Sequence, residues 1–271
     1  MQESEFSNPV QEQQKYEEVM QALNKDAIMV DPLREQYASI VQTPQHRTDI
    51  EEHKVALLCI DMQYLDAARD CGVFADAESS GVPPEAQEYY FNRLDETVFP
   101  NVRRLQDAFR AQNLEVIHIR IQALTKDGRD RSRGHKKLKL LAQPNSKEAE
   151  FIEAIAPMND EIIINKTASG VFTSTNLNYV LKNMGIQSLF ATGVYTNECV
   201  DTTVRDACDL GYNVTVIEDC CATVTQELQD FTIYTLKDRY ARVINTDEAI
   251  AEIQSLLEPA NRTTPGASST A

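Results

Sequence analysis

The chain has 271 residues, 42% of them hydrophobic and 25% charged, enough to bury one large α/β core or two smaller ones. Its 42 acidic and 26 basic residues leave a formal charge of −16, a field that disfavours nucleic acid and anionic membranes as partners. No apolar run approaches the ~20 residues of a membrane-spanning helix, and the first residues lack the basic and apolar regions of a secretory signal, so a cytoplasmic protein is expected.

Residues 1–53 read as an acidic extension, with 11 acidic and 4 basic side chains and breakers at Pro32 and Pro44. Short β-rich apolar runs then follow at Val55–Asp61, Glu115–Ile121, Glu161–Asn165, Ser188–Thr192, Asn213–Glu218 and Arg242–Asn245. Helix-like stretches separate them at 86–112, 147–156, 174–184, 198–210 and 226–238, with a last one at 247–257. Leu177, Val180, Leu181 and Met184, for example, recur at spacings of three and four, the mark of one apolar helical face. The strands are nearly continuous apolar runs, as expected of a parallel sheet covered on both sides. The expectation is a three-layer α/β/α sandwich around a six-stranded, mainly parallel sheet over residues 54–258. Residues 259–271 (PANRTTPGASSTA) have the composition of a disordered tail.

The six cysteines show no metal-finger spacing, and four histidines leave little material for a His-rich metal site. Ligands of open parallel sheets bind at the carboxyl ends of the strands. Here those ends carry Asp61, Arg120 with Gln122 beyond it, Lys166, Gly193 followed by Cys199, and Asp219.

Cys199 follows an apolar run and a polar turn, where a helical pattern starts. A thiol in a first helical turn is favoured as a thiolate by unpaired N–H groups and the helix dipole. A buried core cysteine is the bland alternative. Asp61, at the tip of a buried strand, has a perturbed pKa on this reading and is placed to exchange protons with a thiol; alone it reads as well as a cap or turn residue. Lys166 would lower a thiol's pKa and stabilise developing negative charge; alone it reads as a solvated strand terminus.

Together, the order D-M-Q after the first strand, K-x-x-x-G-x-F-x-x-T-x-L after the third, and G-V-x-T-x-x-C-V before a helix resembles the isochorismatase-like cysteine hydrolases over about residues 54–250. The resemblance implies a catalytic triad of Asp61, Lys166 and Cys199 and a three-layer fold around a six-stranded parallel sheet. It also implies a cis peptide at Val194-Tyr195, with the backbone amides of Tyr195 and Cys199 as an oxyanion hole. Nicotinamidases of that family bind a metal through an Asp and two His after the second strand. The corresponding run Ile119–Ser132 has no such histidine pair, so neither a metal nor any other cofactor is expected. Isochorismatases that cleave a vinyl ether lack the nucleophilic cysteine. The remaining group hydrolyses linear amide or ureido C–N bonds through a thioester, and a small amide, ureido or carbamoyl compound is the expected substrate. An isochorismatase- or nicotinamidase-type hydrolase and a non-catalytic scaffold of the same fold are the alternatives.

Residues 126–139 form a basic island, seven Lys or Arg against two Asp. Its two readings are a lid whose Arg129 or Arg131 grips substrate, and a solvated loop or subunit contact. Gln63, Tyr64, Phe172 and Tyr195 flank the triad members and are candidates for lining a planar pocket; simple packing is the competing reading. Such extensions often wrap a neighbouring subunit and many relatives are dimers or tetramers, so the resemblance implies a homo-oligomer.

Overall fold

The computed structural model describes residues 45–76 and 80–257. The tail expected at 259–271 and all but the last part of the extension expected at 1–53 lie outside them.

Six strands form one parallel sheet: β1 (Val55–Ile60), β2 (Glu115–Ile121), β3 (Ile162–Lys166), β4 (Ser188–Val194), β5 (Asn213–Ala222) and β6 (Arg242–Ile244). Their spatial order is β3-β2-β1-β4-β5-β6, so the chain leaves β1 outward in one direction and returns to start β4 on its other side. That reversal lies between β1 and β4, where an open α/β sheet leaves a crevice at its carboxyl edge. All six residues of β1 are buried.

Alternation along β1 divides the core in two. Val55, Leu57 and Cys59 join one cluster with Ile50, Val102, Leu105, Phe109 and Ile253; Ala56, Leu58 and Ile60 join the other with Leu177, Leu181, Val204 and Ala207. The first face is therefore covered by α1 (Gln45–Glu51), α4 (Phe99–Ala111) and α10 (Thr246–Leu257), the second by α7 (Leu177–Asn183) and α8 (Asp201–Asp209). The expected three-layer α/β/α architecture is what forms. Shorter helices α2 (Tyr64–Ala67), α5 (Arg133–Lys137) and α6 (Val171–Ser174) lie on loops at the carboxyl edge, and α3 (Pro84–Arg93) and α9 (Gln226–Leu236) complete the set among the described residues.

The helix expected at 86–112 runs from Pro84 to Ala111 with a π turn at Leu94–Val98 inside it. Pro100 has no N–H to donate one turn back, and the helix widens just ahead of it, with Phe99 N–H donating to Leu94 O. The helix expected at 147–156 is absent. Two single 3₁₀ turns, Lys147–Ala149 and Glu153–Ile155, replace it. The backbone between them is taken by the segment after β1: Tyr64 N–H donates to Glu150 O at 2.9 Å, and Ile152 N–H to Met62 O at 3.1 Å.

Residues 45–51, within the expected extension, pack onto the domain. Ile50 is in the core, and Asp49 accepts hydrogen bonds from Ser188 Oγ at 2.5 Å and Asn213 Nδ2 at 2.9 Å. All six cysteines are free thiols. Among the described residues no helix is long and apolar enough to cross a membrane.

Candidate active site

Asp61 immediately follows β1 with φ 53°, a left-handed conformation that aspartate tolerates better than most residues. Its N–H stays in the ladder, donating to Ile119 O at 2.9 Å. Across from it, Gly193 has φ 128°, and a Cβ there would sit 2.0 Å from Ile60 O. Only glycine lets β4 run this close to β1 at the point where the chain turns toward Cys199. The Val194-Tyr195 peptide that follows is cis.

Cys199 lies in a π turn, Thr196–Val200, that leads directly into α8. The helical turn begins earlier than the sequence pattern suggests, and it buries the thiol to 4% exposure. Lys166 ends β3, where the register places it beside Ile121 of β2, and it is fully buried. Three loops that are distant in sequence therefore meet over the carboxyl edge of the sheet.

Lys166 Nζ lies 2.8 Å from Asp61 Oδ2 and donates hydrogen bonds to Cys199 Sγ at 3.2 Å and Ala168 O at 3.0 Å. The ammonium contacts the carboxylate as an ion pair, without hydrogen-bond geometry, and neither Asp61 oxygen has a hydrogen-bond partner in the protein. Burial raises the Asp61 carboxyl above its ordinary value against the opposing pull of Lys166. Burial opposes the charge of Lys166 too, yet Asp61 and Cys199 hold it protonated, above the usual lysine range. The thiol behaves differently from the first-turn expectation. Burial pushes Cys199 well above the usual cysteine value; Lys166 opposes this and Asp61 reinforces it. Burial thus disfavours a standing thiolate at Cys199 despite the neighbouring ammonium.

Asp61 and Cys199 open onto a cavity of about 290 Å³. Tyr195 lines it, and its hydroxyl donates to Asp66 O at 3.2 Å. The other expected contact residues lie elsewhere. Gln63 is buried with its amide consumed by backbone, donating to Ile121 O and Glu148 O and accepting from Ile121 N–H. Tyr64 sits under the Lys147 ammonium, 3.6 Å from its ring centre, and Phe172 stacks on Tyr212. Arg129 is exposed and paired with Asp127 at 3.1 Å. Arg131 is turned back into its own loop, donating to Gly128 O and Leu140 O. Two of the residues read as rim groups are structural. Arg120 donates to Asn165 Oδ1 and Ala149 O, and Asp219 lies inside β5, accepting from Thr246 N–H at 2.9 Å.

What the basic loop does bring to the cavity is His135, on α5, together with Leu138 and Leu140. His135 is 2% exposed with no hydrogen-bond partner on Nδ1. Burial lowers its pKa to about 4, so the imidazole is neutral at neutral pH. Asp66 and Glu198 also line the cavity, and sequence reasoning missed all three. Among the described residues, no group of three or more His, Cys, Asp or Glu side chains is arranged to hold a metal ion.

The isochorismatase domain family matches residues 55–248. An uncharacterized isochorismatase family protein, YddQ of Bacillus subtilis, is 37% identical over 87 residues, covering 32% of this chain and 48% of that one. An N-carbamoylsarcosine amidase of Arthrobacter is 26% identical over 166 residues, covering 59% of this chain and 63% of its own. The chain thus spans between about half and two thirds of these relatives. Among solved structures, a cysteine hydrolase from Pseudomonas syringae superposes with a TM-score of 0.63 at 24% identity, over 75% of this chain and 94% of that one, a likeness of fold. With a family match over most of its length and the matching six-stranded architecture, the chain belongs to the isochorismatase-like hydrolase family.

Proposed function

We propose that the protein is a cysteine amidohydrolase that cleaves a C–N bond of a small amide, ureido or carbamoyl compound, with Cys199 as nucleophile and no metal ion in the step. The observation that carries this reading is the placement of one buried ammonium, Lys166 Nζ, against both Asp61 Oδ2 and Cys199 Sγ. The amidase among its relatives supports the choice of bond.

The reaction follows from the charges. Asp61 accepts the Cys199 proton as the sulfur attacks the substrate carbonyl, and Lys166 stabilises the thiolate during transfer. A C–S bond forms while the carbonyl π pair moves to oxygen, which the Tyr195 and Cys199 amides would stabilise as the family resemblance implies. When the tetrahedral species collapses, the C–N bond breaks and the nitrogen takes the proton from Asp61. Ammonia or an amine leaves, and a thioester remains on Cys199. A water then gives its proton to Asp61 and attacks the thioester. The C–S bond breaks, the proton returns to sulfur, and the acid or carbamate departs.

Ammonia release from a panel of short amides, N-alkyl ureas and carbamoyl compounds, run beside nicotinamide, tests this reading. Turnover of an amide or ureido compound that survives a chelator is expected. Chelator-sensitive turnover of nicotinamide alone, or silence across the panel, would sink it in favour of a nicotinamidase-type enzyme or an idle scaffold.

A further inference from the structure

Asp66 sits on α2, five residues beyond Asp61, and is 3% exposed. Its backbone carbonyl accepts hydrogen bonds from two tyrosines, Tyr90 Oη at 3.0 Å and Tyr195 Oη at 3.2 Å. These clamps fix the residue at the cavity wall, while its side-chain Oδ2 is buried with no hydrogen-bond partner. A buried carboxyl oxygen left without a hydrogen-bond partner is a cost to the fold. Glu198, directly before Cys199, lines the same cavity. Burial pushes the Asp66 carboxyl well above its ordinary value, Asp61 and Glu198 push it further, and only Lys166 opposes them. Burial raises Glu198 as well.

No lysine or arginine is among the described residues lining this cavity, and the Lys166 ammonium beneath it is already committed to Asp61 and Cys199. Asp66 and Glu198 thus share the cavity with Cys199 and with no basic side chain among its described lining residues, so a cationic group entering it would meet acceptors and no like charge. A metal ion does not fit that role here, since these carboxyls do not converge as a metal-holding group. Leu138 and Leu140 line the cavity as well.

Resting on the amidohydrolase reading, we infer that Asp66, assisted by Glu198, selects substrates whose scissile amide or ureido group carries a positively charged nitrogen, an ammonium, amidinium or guanidinium. Its N–H would donate a charge-assisted hydrogen bond to Asp66 Oδ2, which is itself buried, where such bonds are stronger than in solvent. A carboxylate-bearing substrate would meet like charge and no cation.

Binding to Cys199→Ala protein tests this without requiring turnover. The ligands are three ureas of matched length, aminopropylurea (cation), butylurea (neutral) and ureidopropionate (anion), titrated calorimetrically. Aminopropylurea is expected to bind about tenfold more tightly than butylurea, with ureidopropionate weakest. Adding Asp66→Asn should bring the first two within about twofold of each other, and Glu198→Gln should narrow the gap in part. Should butylurea or ureidopropionate bind as tightly as aminopropylurea, or should the preference survive Asp66→Asn, the inference fails; the ranking with Asp66 intact decides it even if that variant does not fold. Hydrolysis by the wild type separates the two claims. Turnover without charge preference overturns the selectivity and leaves the hydrolase, while cation-selective binding without ammonia release does the reverse.

Discussion

The Lys166 ammonium donates to Cys199 Sγ across 3.2 Å, with the lysine fully buried and the cysteine 4% exposed. Because Asp61 shares the same ammonium at 2.8 Å, the protonation of each of the three side chains depends on the other two.

Cys199→Ala is expected to lower kcat by on the order of 10⁴-fold or more, since the covalent intermediate of the proposed reaction cannot form without the thiol. Stability should change by only about 1 kcal/mol, because a small side chain is lost and the ion pair beside it stays. Ammonia release and urea denaturation of the same preparation check both halves.

Lys166→Met leaves the buried Asp61 carboxylate without a counter-charge. The expected cost is about 3–5 kcal/mol, and adding Asp61→Asn should recover most of it. Urea midpoints of the single and double variants give the coupling. A single variant as stable as the wild type would mean the pair does not carry the charge assigned to it.

Two pH dependences follow from the buried carboxyls. Asp61 must be ionised to take the thiol proton, and burial raises its pKa, so kcat/KM should fall with decreasing pH at a higher pH than an exposed aspartate would give. An acid limb at the ordinary carboxylate value, about 4, contradicts this. Asp66 acts on stability. Its raised folded-state pKa means the folded protein binds this proton more tightly than the unfolded chain. That contribution is fully present below the unfolded value and is lost as pH rises through the folded one. Asp66→Asn should therefore be more stable than the wild type at about pH 8, with the gain vanishing near pH 4. Equal destabilisation at both values would count against it.

The amino-terminal boundary gives another test. A chain starting at residue 45 keeps Ile50 in the core, the Asp49 bonds to Ser188 and Asn213, and the His46–Glu252 pair at 3.0 Å. A chain starting at Glu52 loses all of them and should be less stable by at least about 2 kcal/mol. Thermal or urea unfolding of the two truncations decides it, and any effect on oligomeric state should be read from the longer one.

The sheet was legible because its strands are short apolar runs with polar residues at or just beyond their ends, and Asp61, Lys166 and the turn carrying Cys199 are where the structure brings three chain segments together. Features that depend on burial were not. A first-turn cysteine suggests a thiolate, but desolvation at 4% exposure outweighs the helix terminus. Gln63 looks like a pocket residue until its amide is seen bridging the segments around Ile121 and Glu148. Arg129 and Arg131 drew notice for their charge, although the loop satisfies both internally and sends the neutral His135 to the cavity instead. Asp66 looks like an ordinary surface carboxylate in sequence; only the structure shows it clamped by tyrosines, 3% exposed and with Oδ2 unpartnered.

Hydroxylamine partitioning tests the central claim, a thioester on Cys199, most directly. With an amide substrate in turnover, added hydroxylamine should divert the acyl group to a hydroxamate in proportion to its concentration, and Cys199→Ala should form neither acid nor hydroxamate. Hydrolysis that proceeds with no hydroxamate at any concentration, or that persists in Cys199→Ala, would contradict the account.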